Sequence, residues 1–325
     1  MNSEPCDGPG GAATIAAVTA SSGGAGGDMT DRVGYIGLGI MGRPMALNLL
    51  KAGHLVWVHA RRAEAMAPLV AAGATACDSP REVAGYADVV FTNVSDTPDV
   101  EEVLLGRNGV VEGARPGAVV VDNSTISPST TRRIAEALGA KGIGMLDAPV
   151  SGGQQGAIDG TLSVMVGGAE ATFQRVLPLL QAIGRNIVHV GDNGAGQVAK
   201  ACNQVVIAQT VAAIAEGLLL ATAAGVDPAR VREALLGGFA ASRALEVHGQ
   251  RMLDRNYAPG FLARLHQKDM RIVLETAHEL GLPLPGAALV TQYINALVGR
   301  GDGELDSAAL ATVLERMAGL EIGSR

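Results

Sequence analysis

The chain has 325 residues and a formal net charge of -7, and its composition is 48% hydrophobic but only 3% aromatic. This length allows two domains, each with its own core. The acidic balance and the shortage of stacking rings argue against a nucleic-acid-binding protein, which typically presents a basic face with aromatic side chains. Three cysteines without a C-x-x-C pair, and six histidines without ligand spacing, predict neither a disulfide scaffold nor a metal site. The expected compartment is therefore the reducing cytoplasm.

Residues 1–31 differ in composition from the rest of the chain. They contain the low-complexity runs Gly8–Gly11 and Ser21–Gly27, and Arg32 is the first basic residue. A secretory signal has a positive n-region and a transit peptide has arginines, and this stretch has neither. We expect a disordered tail, or the product of an early start codon ahead of Met29.

From Arg32 onward, short β-branched runs alternate with helical segments. The predicted strands are Val33–Ile36, Leu55–Val58, Val89–Val94, Val119–Asp122, Gly144–Asp147 and Leu162–Val166. The predicted helices between them include Arg43–Lys51, Ala63–Ala72 and Ser129–Leu138. This alternation predicts right-handed crossovers and a doubly wound, mainly parallel α/β sheet of the Rossmann type, in a domain spanning residues 32–193.

After Gly191 the strand signals end. A long apolar helix is predicted from Gly194 to about Ala224, but Lys200 and Glu216 interrupt it, and charged groups are costly in lipid. We therefore expect a buried interdomain helix and no membrane association. Residues 194–320 form an all-helical second domain in this interpretation.

A G-x-G-x-x-G loop follows the first predicted strand. The loop is Gly37, Leu38, Gly39, Ile40, Met41 and Gly42, and a helix follows it. The first glycine permits the tight turn, the second lets a pyrophosphate approach the backbone, and the third lets the helix pack on the strand. Because the phosphates then lie at a helix N-terminus, the strand–loop–helix context predicts a dinucleotide site.

The end of the second strand favours NADP over NAD. NAD-dependent enzymes usually carry an acidic residue there, and this chain has Ala60, Arg61 and Arg62 instead. Two guanidinium groups could hold a 2′-phosphate. The alternative is a solvated basic turn that accepts either cofactor, so NAD stays possible.

Two further segments carry polar groups suited to chemistry. Lys200 lies early on the long helix, and Asn203 and Gln204, three and four residues later, share its face. The turn Ser151–Gly153 offers a hydroxyl and unhindered N–H groups, which suit a carboxylate. Taken alone, the lysine could extend along a helix surface and the turn could be an ordinary glycine turn.

Together these segments resemble the β-hydroxyacid dehydrogenase family from about Arg32 to Ala318. The resemblance rests on separate motifs at Gly37–Gly42, Asp122–Thr125, Asp147–Gly153, Gly194–Gln204 and Leu265–Asp269. It implies that Lys200 is the catalytic acid/base and that Ser151, Gly152 and Gly153 bind the substrate carboxylate, with Asn203 or Gln204 orienting the substrate. It also implies that Thr125 and Lys268 contact the nicotinamide side of the cofactor, and we include Val94 and Ser95 in the expected cofactor site. The resemblance further implies a homodimer or homotetramer.

The segments Ala157–Val166 and Met252–Asn256 resemble family members that reduce tartronate semialdehyde to D-glycerate. The expected activity is therefore NAD(P)H-dependent reduction of a small semialdehyde, with a 3-hydroxyisobutyrate dehydrogenase as the alternative. A non-catalytic dinucleotide-binding scaffold and an imine reductase-like enzyme are weaker alternatives, because both are expected to lack the lysine.

Overall fold

The computed structural model describes residues 31–324. The low-complexity tail predicted for residues 1–31 lies outside this range except for Asp31, whose carbonyl oxygen accepts a hydrogen bond from the Leu55 amide at 3.3 Å.

Strands are confined to the first part of the described chain. They are β1 (Arg32–Ile36), β2 (Leu55–His59), β3 (Thr75–Ala76), β4 (Val89–Thr92), β5 (Val119–Asp122), β6 (Gly144–Asp147), β7 (Val150–Ser151), β8 (Leu162–Gly167) and β9 (Gly184–Gly191). The helices are α1 (Gly42–Lys51), α2 (Ala67–Ala71), α3 (Pro80–Tyr86), α4 (Thr97–Leu105), α5 (Val110–Gly113), α6 (Pro128–Gly139), α7 (Gly153–Asp159), α8 (Glu170–Gln181), α9 (Ala195–Ala223), α10 (Pro228–Leu236), α11 (Arg243–Leu253), α12 (Ala263–Glu279), α13 (Pro285–Leu297) and α14 (Ala311–Ala318). Short 3-10 turns lie at Ala63–Ala65 and Ser307–Leu310, and a π-helical turn lies at Val298–Asp302.

The strands form one mixed sheet with a parallel core. The strand order runs β3-β2-β1-β4-β5-β6-β8-β7, and β9 pairs with β8. The six strands from β3 to β6 are parallel, whereas β8 is antiparallel to β6 and to β7. Every residue of β4 and β5 is buried, as expected for strands covered by helices on both faces. This is the predicted Rossmann-type sheet, and its order reverses between β1 and β4, where such folds bind ligands.

Three strands were not predicted from the sequence, and one predicted helix is divided. The strands β3 and β7 are two residues long, and β9 lies beyond β8 with alternating exposed and half-buried residues, so none has a continuous apolar run. The helix predicted over Ala63–Ala72 is divided into a 3-10 turn and α2. Pro68 explains the division, because it has no amide hydrogen to donate to the carbonyl four residues earlier.

The second part of the described chain is helical and packs around α9. This helix contacts α10 to α14, and buried side chains from these elements form a separate apolar core. Among the described residues α9 is the one helix long and apolar enough to cross a membrane, and half of its most apolar stretch is buried. We interpret it as the core helix of the helical domain, because it joins that domain to the sheet.

The carboxylate of Asp147 fixes the start of α9 on the sheet. Asp147 ends β6 with no exposed surface, and it accepts hydrogen bonds from the amides of Gly194 at 2.8 Å and Gln197 at 3.0 Å. Gly196 brings the helix so close that a Cβ would overlap the carbonyl oxygens of Met165 and Asp147. The carboxylate thus satisfies amides at the helix N-terminus that have no partner within the helix.

We expect Asp147→Ala to lower the free energy of unfolding by about 1–3 kcal/mol, since it leaves buried amides at the N-terminus of α9 unpaired. Urea denaturation followed by circular dichroism measures this loss. The control is Asp159→Ala, which removes an exposed carboxylate at the end of α7. Equal stability of the two variants would contradict the assignment.

Candidate active site

The glycine loop connects β1 to α1 at the point where the strand order reverses. Gly37 has a φ of 96°, and a Cβ there would overlap the carbonyl oxygen of Asn93 in the loop after β4. A Cβ on Gly42 would overlap the carbonyl oxygen of Gly37. Both positions therefore require glycine for the fold itself.

Gly39 differs from these two glycines, because the fold leaves room for a side chain there. It is exposed, and no atom lies within 4 Å of the position that its Cβ would take. The protein thus leaves an open space in front of the first turn of α1, where amide groups without helical partners face outward. This space fits the pyrophosphate of a dinucleotide. Within the same loop, Leu38 is buried, Met41 is half-buried and Ile40 is exposed.

The two arginines after β2 occupy different surroundings. Arg61 is largely exposed and pairs with Asp99 on α4 at 3.3 Å. Arg62 is also exposed, and it lines a pocket of about 190 Å³ together with Arg43, Glu64 and Ala65. Arg43 is the first residue after the glycine loop, and its place beside Arg62 was not predicted from the sequence.

The loops after β4 and β5 lie side by side. The Val94 amide donates to the Ser124 hydroxyl at 2.9 Å, and Ser95 is exposed. Val94 was predicted to end a strand, but β4 ends at Thr92, and Val94 belongs to this loop. Thr125 is half-buried, and its carbonyl oxygen accepts a hydrogen bond from Lys268 at 2.5 Å. The expected cofactor residues of both domains are thereby adjacent.

Asp122, at the end of β5, supports this loop from inside the sheet. Its carboxylate is fully buried and accepts hydrogen bonds from the Thr92 hydroxyl at 2.8 Å and the Ser124 amide at 3.1 Å. Burial raises the pKa of Asp122 to about 6, against the effect of these hydrogen bonds. The carboxylate holds Ser124 in place, and Ser124 in turn holds Val94.

Lys200 lies on the first turns of α9 and is only 7% exposed. Its ammonium donates a hydrogen bond to the carbonyl oxygen of Val150 at 3.0 Å. Val150 directly precedes Ser151, Gly152 and Gly153, and both glycines have positive φ. The fold therefore brings the lysine next to the turn that was expected to bind a carboxylate, although the two are 50 residues apart in the chain.

Burial lowers the pKa of Lys200 below its ordinary value. The carboxylate of Asp269 opposes this effect, and the positive charge of Lys268 adds to it. A lowered pKa brings the ammonium closer to the range in which one group can both donate and accept a proton near neutral pH.

A chain of polar contacts joins α9 to α12 and to the loop after β5. Asn203 donates to the Gln204 side chain at 2.8 Å, and Gln204 donates to Asp269 at 2.6 Å. Asp269 also pairs with Lys268 at 2.8 Å, and Lys268 reaches the Thr125 carbonyl. Gln204 and Asp269 are each only 3% exposed. The amide of Gln204 thus has a protein partner at both ends, whereas Asn203 is half-buried.

The contributions of Asp269 and Gln197 were not predicted from the sequence. Asp269 lies within the motif Leu265–Asp269, but no role was predicted for it. Its position directly after Lys268 was the signal that could have indicated one. Gln197 accepts a hydrogen bond from the Ile126 amide at 3.1 Å and donates to the Ser124 carbonyl at 2.8 Å. In this way it fixes α9 against the loop that carries Thr125.

Within residues 31–324, no group of three or more His, Cys, Asp or Glu residues could hold a metal ion.

The comparisons with known proteins cover both parts of the chain. Residues 32–191 match the model of the NAD binding domain of 6-phosphogluconate dehydrogenase, and residues 194–314 match that of the NAD-binding region of NADP-dependent 3-hydroxyisobutyrate dehydrogenase. The chain is 48% identical to 2-hydroxy-3-oxopropionate reductase of Escherichia coli over 88% of its own length and 98% of that protein. The chain belongs to the β-hydroxyacid dehydrogenase family. It is an NAD(P)-dependent enzyme.

Other members of this family are similar over nearly their whole length. 3-Hydroxyisobutyrate dehydrogenase of Pseudomonas aeruginosa is 39% identical over 88% of this chain and 97% of that protein. The crystal structure of a 3-hydroxyisobutyrate dehydrogenase from Salmonella typhimurium superposes with a TM-score of 0.78, at 35% identity, over 86% of this chain and 99% of that chain. The β-hydroxyacid dehydrogenase fold described above is therefore shared across enzymes whose names give different substrates.

Proposed function

We propose that the protein reduces 2-hydroxy-3-oxopropionate (tartronate semialdehyde) to D-glycerate, with NADPH as the preferred cofactor and Lys200 as the general acid. The observation that carries this proposal is the buried ammonium of Lys200, which touches the carbonyl oxygen directly before the Ser151–Gly153 turn. The 48% identity to the reductase of that substrate from Escherichia coli supports the choice of substrate.

Lys200 supplies the proton in the proposed reaction. When bound, the dihydronicotinamide would supply the hydride that converts the aldehyde to the alkoxide. Lys200 gives its proton to the resulting alkoxide oxygen, so that a primary alcohol is formed and the neutral amine later takes a proton from water. Asp269 favours the ammonium before this step, and burial favours the neutral amine after it.

The turn after β7 would fix the other end of the substrate. Ser151 offers a hydroxyl, and Gly152 and Gly153 offer amides in a turn with positive φ, which together suit a carboxylate. We assign Gln204 to holding Asp269 and Asn203, because both ends of its amide are engaged. Asn203, which is less committed, would then orient the substrate oxygen.

The proposed cofactor site follows the carboxyl ends of β1, β2, β4 and β5. The loop Gly37–Gly42 would hold the pyrophosphate, and Val94, Ser95, Thr125 and Lys268 would line the path towards the nicotinamide. Arg62 and Arg43 share one pocket and would hold the 2′-phosphate of NADP, with Arg61 at its exposed side. We place the domain boundaries at residues 32–193 and 194–320.

We also propose a cytoplasmic homodimer or homotetramer that binds neither nucleic acid nor a membrane. Large apolar side chains that remain exposed on the helical domain support self-association, among them Val206 and Leu220 on α9, at 62% and 72% exposure.

A panel of semialdehydes tests the substrate assignment. Tartronate, methylmalonate and succinate semialdehydes are each assayed with NADPH and with NADH, and we expect the highest kcat/KM for tartronate semialdehyde with NADPH. A clear preference for methylmalonate semialdehyde would instead support 3-hydroxyisobutyrate as the natural product, which is the second candidate because the relatives include enzymes with that name.

Replacing Lys200 tests the proposed acid. Lys200→Ala is expected to lower kcat by about 100- to 10,000-fold, since it removes the proposed proton donor, while NADPH binding measured by fluorescence titration stays nearly unchanged. Lys141→Ala, which removes an exposed lysine, serves as the control. Substantial turnover by Lys200→Ala would refute the assignment and would reopen the imine reductase-like and scaffold alternatives.

Replacing Arg62 tests the cofactor preference. Loss of a charge-assisted hydrogen bond of about 1.5–3 kcal/mol predicts that Arg62→Ala weakens NADPH binding roughly 10- to 150-fold. NADH lacks the 2′-phosphate, so its binding should change little. Isothermal titration of both dinucleotides, with exposed Arg185→Ala as the control, measures the two effects. An equal loss for both dinucleotides would show that Arg62 does not read the 2′-phosphate.

A further inference from the structure

His266 is a buried histidine whose ring lacks protein partners. It lies on the first turn of α12 and is only 1% exposed. Neither ring nitrogen has a hydrogen-bond partner among residues 31–324. Unpaired polar groups in a protein interior are costly and uncommon, so such a ring calls for a partner outside the chain itself.

The ring lies beside the polar chain that reaches Lys200. Asp269 follows His266 by three residues on α12, and residues with this spacing share one face of a helix. That face is turned to α9, because Asp269 accepts the hydrogen bond from Gln204. His266 is therefore one turn away from Asp269, which holds Gln204 and, through it, Asn203 at the proposed substrate site.

The other neighbour of His266 reaches the carboxylate turn. Its ring lies 5.5 Å from the ring of Phe261, in a tilted arrangement. Phe261 follows Gly260, whose carbonyl oxygen lies 3.8 Å from the position that a Cβ on Gly153 would take. The imidazole is thus flanked by segments that contact both ends of the proposed substrate site.

The segment that carries Phe261 is held firmly. The carboxylate of Asp306, which is 1% exposed, accepts hydrogen bonds from the amides of Gly260 at 2.9 Å and Phe261 at 3.0 Å. Arg251 lies 3.5 Å from the same carboxylate. These contacts fix the backbone at Gly260 and Phe261, from which the ring packed against His266 extends.

The imidazole is neutral near neutral pH. Burial lowers the pKa of His266 to about 4, and the positive charge of Lys200 contributes to the lowering, although Asp269 opposes it. A neutral imidazole has one nitrogen that donates and one that accepts a hydrogen bond. This combination matches a hydroxyl group, which also donates and accepts. A methyl group in the same place would leave the ring unpaired.

We propose that the ring of His266 hydrogen-bonds the hydroxyl group at C2 of the substrate, and that this contact selects a 2-hydroxy over a 2-methyl semialdehyde. The inference rests on the proposed function, since it presumes that a small semialdehyde lies between Lys200 and the Ser151–Gly153 turn. A site that pairs with a substrate hydroxyl discriminates against the analogue that lacks it, because its own polar group is then left unpaired.

The test compares two substrates across variants of one residue. Values of kcat/KM are measured at saturating NADPH for tartronate and methylmalonate semialdehydes. His266→Leu is expected to lower kcat/KM for the hydroxylated substrate about 10- to 100-fold and to leave the methylated one little changed. His266→Gln and His266→Asn keep an amide at different reach, and at least one should recover part of the loss. His278→Leu, on the exposed end of the same helix, is the control.

A second measurement uses the unaltered protein, so that it does not depend on whether His266→Leu folds. The nitrogen chemical shifts of the histidine rings are recorded with oxidised cofactor and either D-glycerate or 3-hydroxyisobutyrate. The shifts of His266, assigned from the spectrum of His266→Gln, should move on addition of D-glycerate and not with the methylated acid.

The outcomes separate the two proposals. If the unaltered enzyme reduces neither semialdehyde or prefers the methylated one, the proposed function fails and this inference fails with it. If tartronate semialdehyde is preferred but His266→Leu loses activity equally on both substrates, or on neither, only the role of His266 is overturned. Unchanged ring shifts with D-glycerate would overturn it as well.

Discussion

The carboxylate of Asp147 is the constraint on which the position of Lys200 depends. It ends a buried strand and accepts hydrogen bonds from amides at the start of α9. Because Lys200 lies within the first two turns of that helix, its distance from the sheet is fixed by this contact and by the close approach at Gly196. The side chain of Gln197 then ties the same turn of the helix to the loop after β5. One rigid junction therefore sets the lysine against residues from both domains.

The site combines buried charges with hydrogen bonds that make their burial tolerable. Asp269 is shared between Gln204 and Lys268, so a carboxylate with 3% exposure is compensated from two sides. Among residues 31–324, the ammonium of Lys200 has one hydrogen-bond partner, a backbone carbonyl, and its charge is correspondingly easier to lose. The environment of Asp269 thus favours a permanently charged carboxylate, whereas that of Lys200 suits the proposed exchange of a proton.

Most of the sheet could be predicted from the sequence, because a parallel strand buried on both faces is a continuous apolar run, as in β4 and β5. The strand β9 could not be predicted, since it has no such run. The sequence also predicted one continuous helix across the break before Pro68. The glycine loop and the segment around Lys200 are local motifs and were visible. The role of Asp269 was not, because its contact with Gln204 spans 65 residues. The position of Arg43 beside Arg62 and the lack of partners for the ring of His266 could not be predicted either, because both depend on contacts formed only in the folded chain.

Different physical constraints act on the three glycines of the loop. A larger residue at Gly37 or Gly42 would overlap backbone atoms and destabilise the fold. Chaperones and proteases would remove such a variant, whatever its activity. At Gly39 the fold imposes no such barrier, because no atom lies within 4 Å of the position that a Cβ would take, and only the proposed pyrophosphate site would impose one. A side chain at Gly39 would fill the space proposed for the pyrophosphate, so the variant would fold well but would not bind its cofactor. Drift at this position would therefore be the route by which a lineage of this enzyme turned into an inactive scaffold while keeping its architecture.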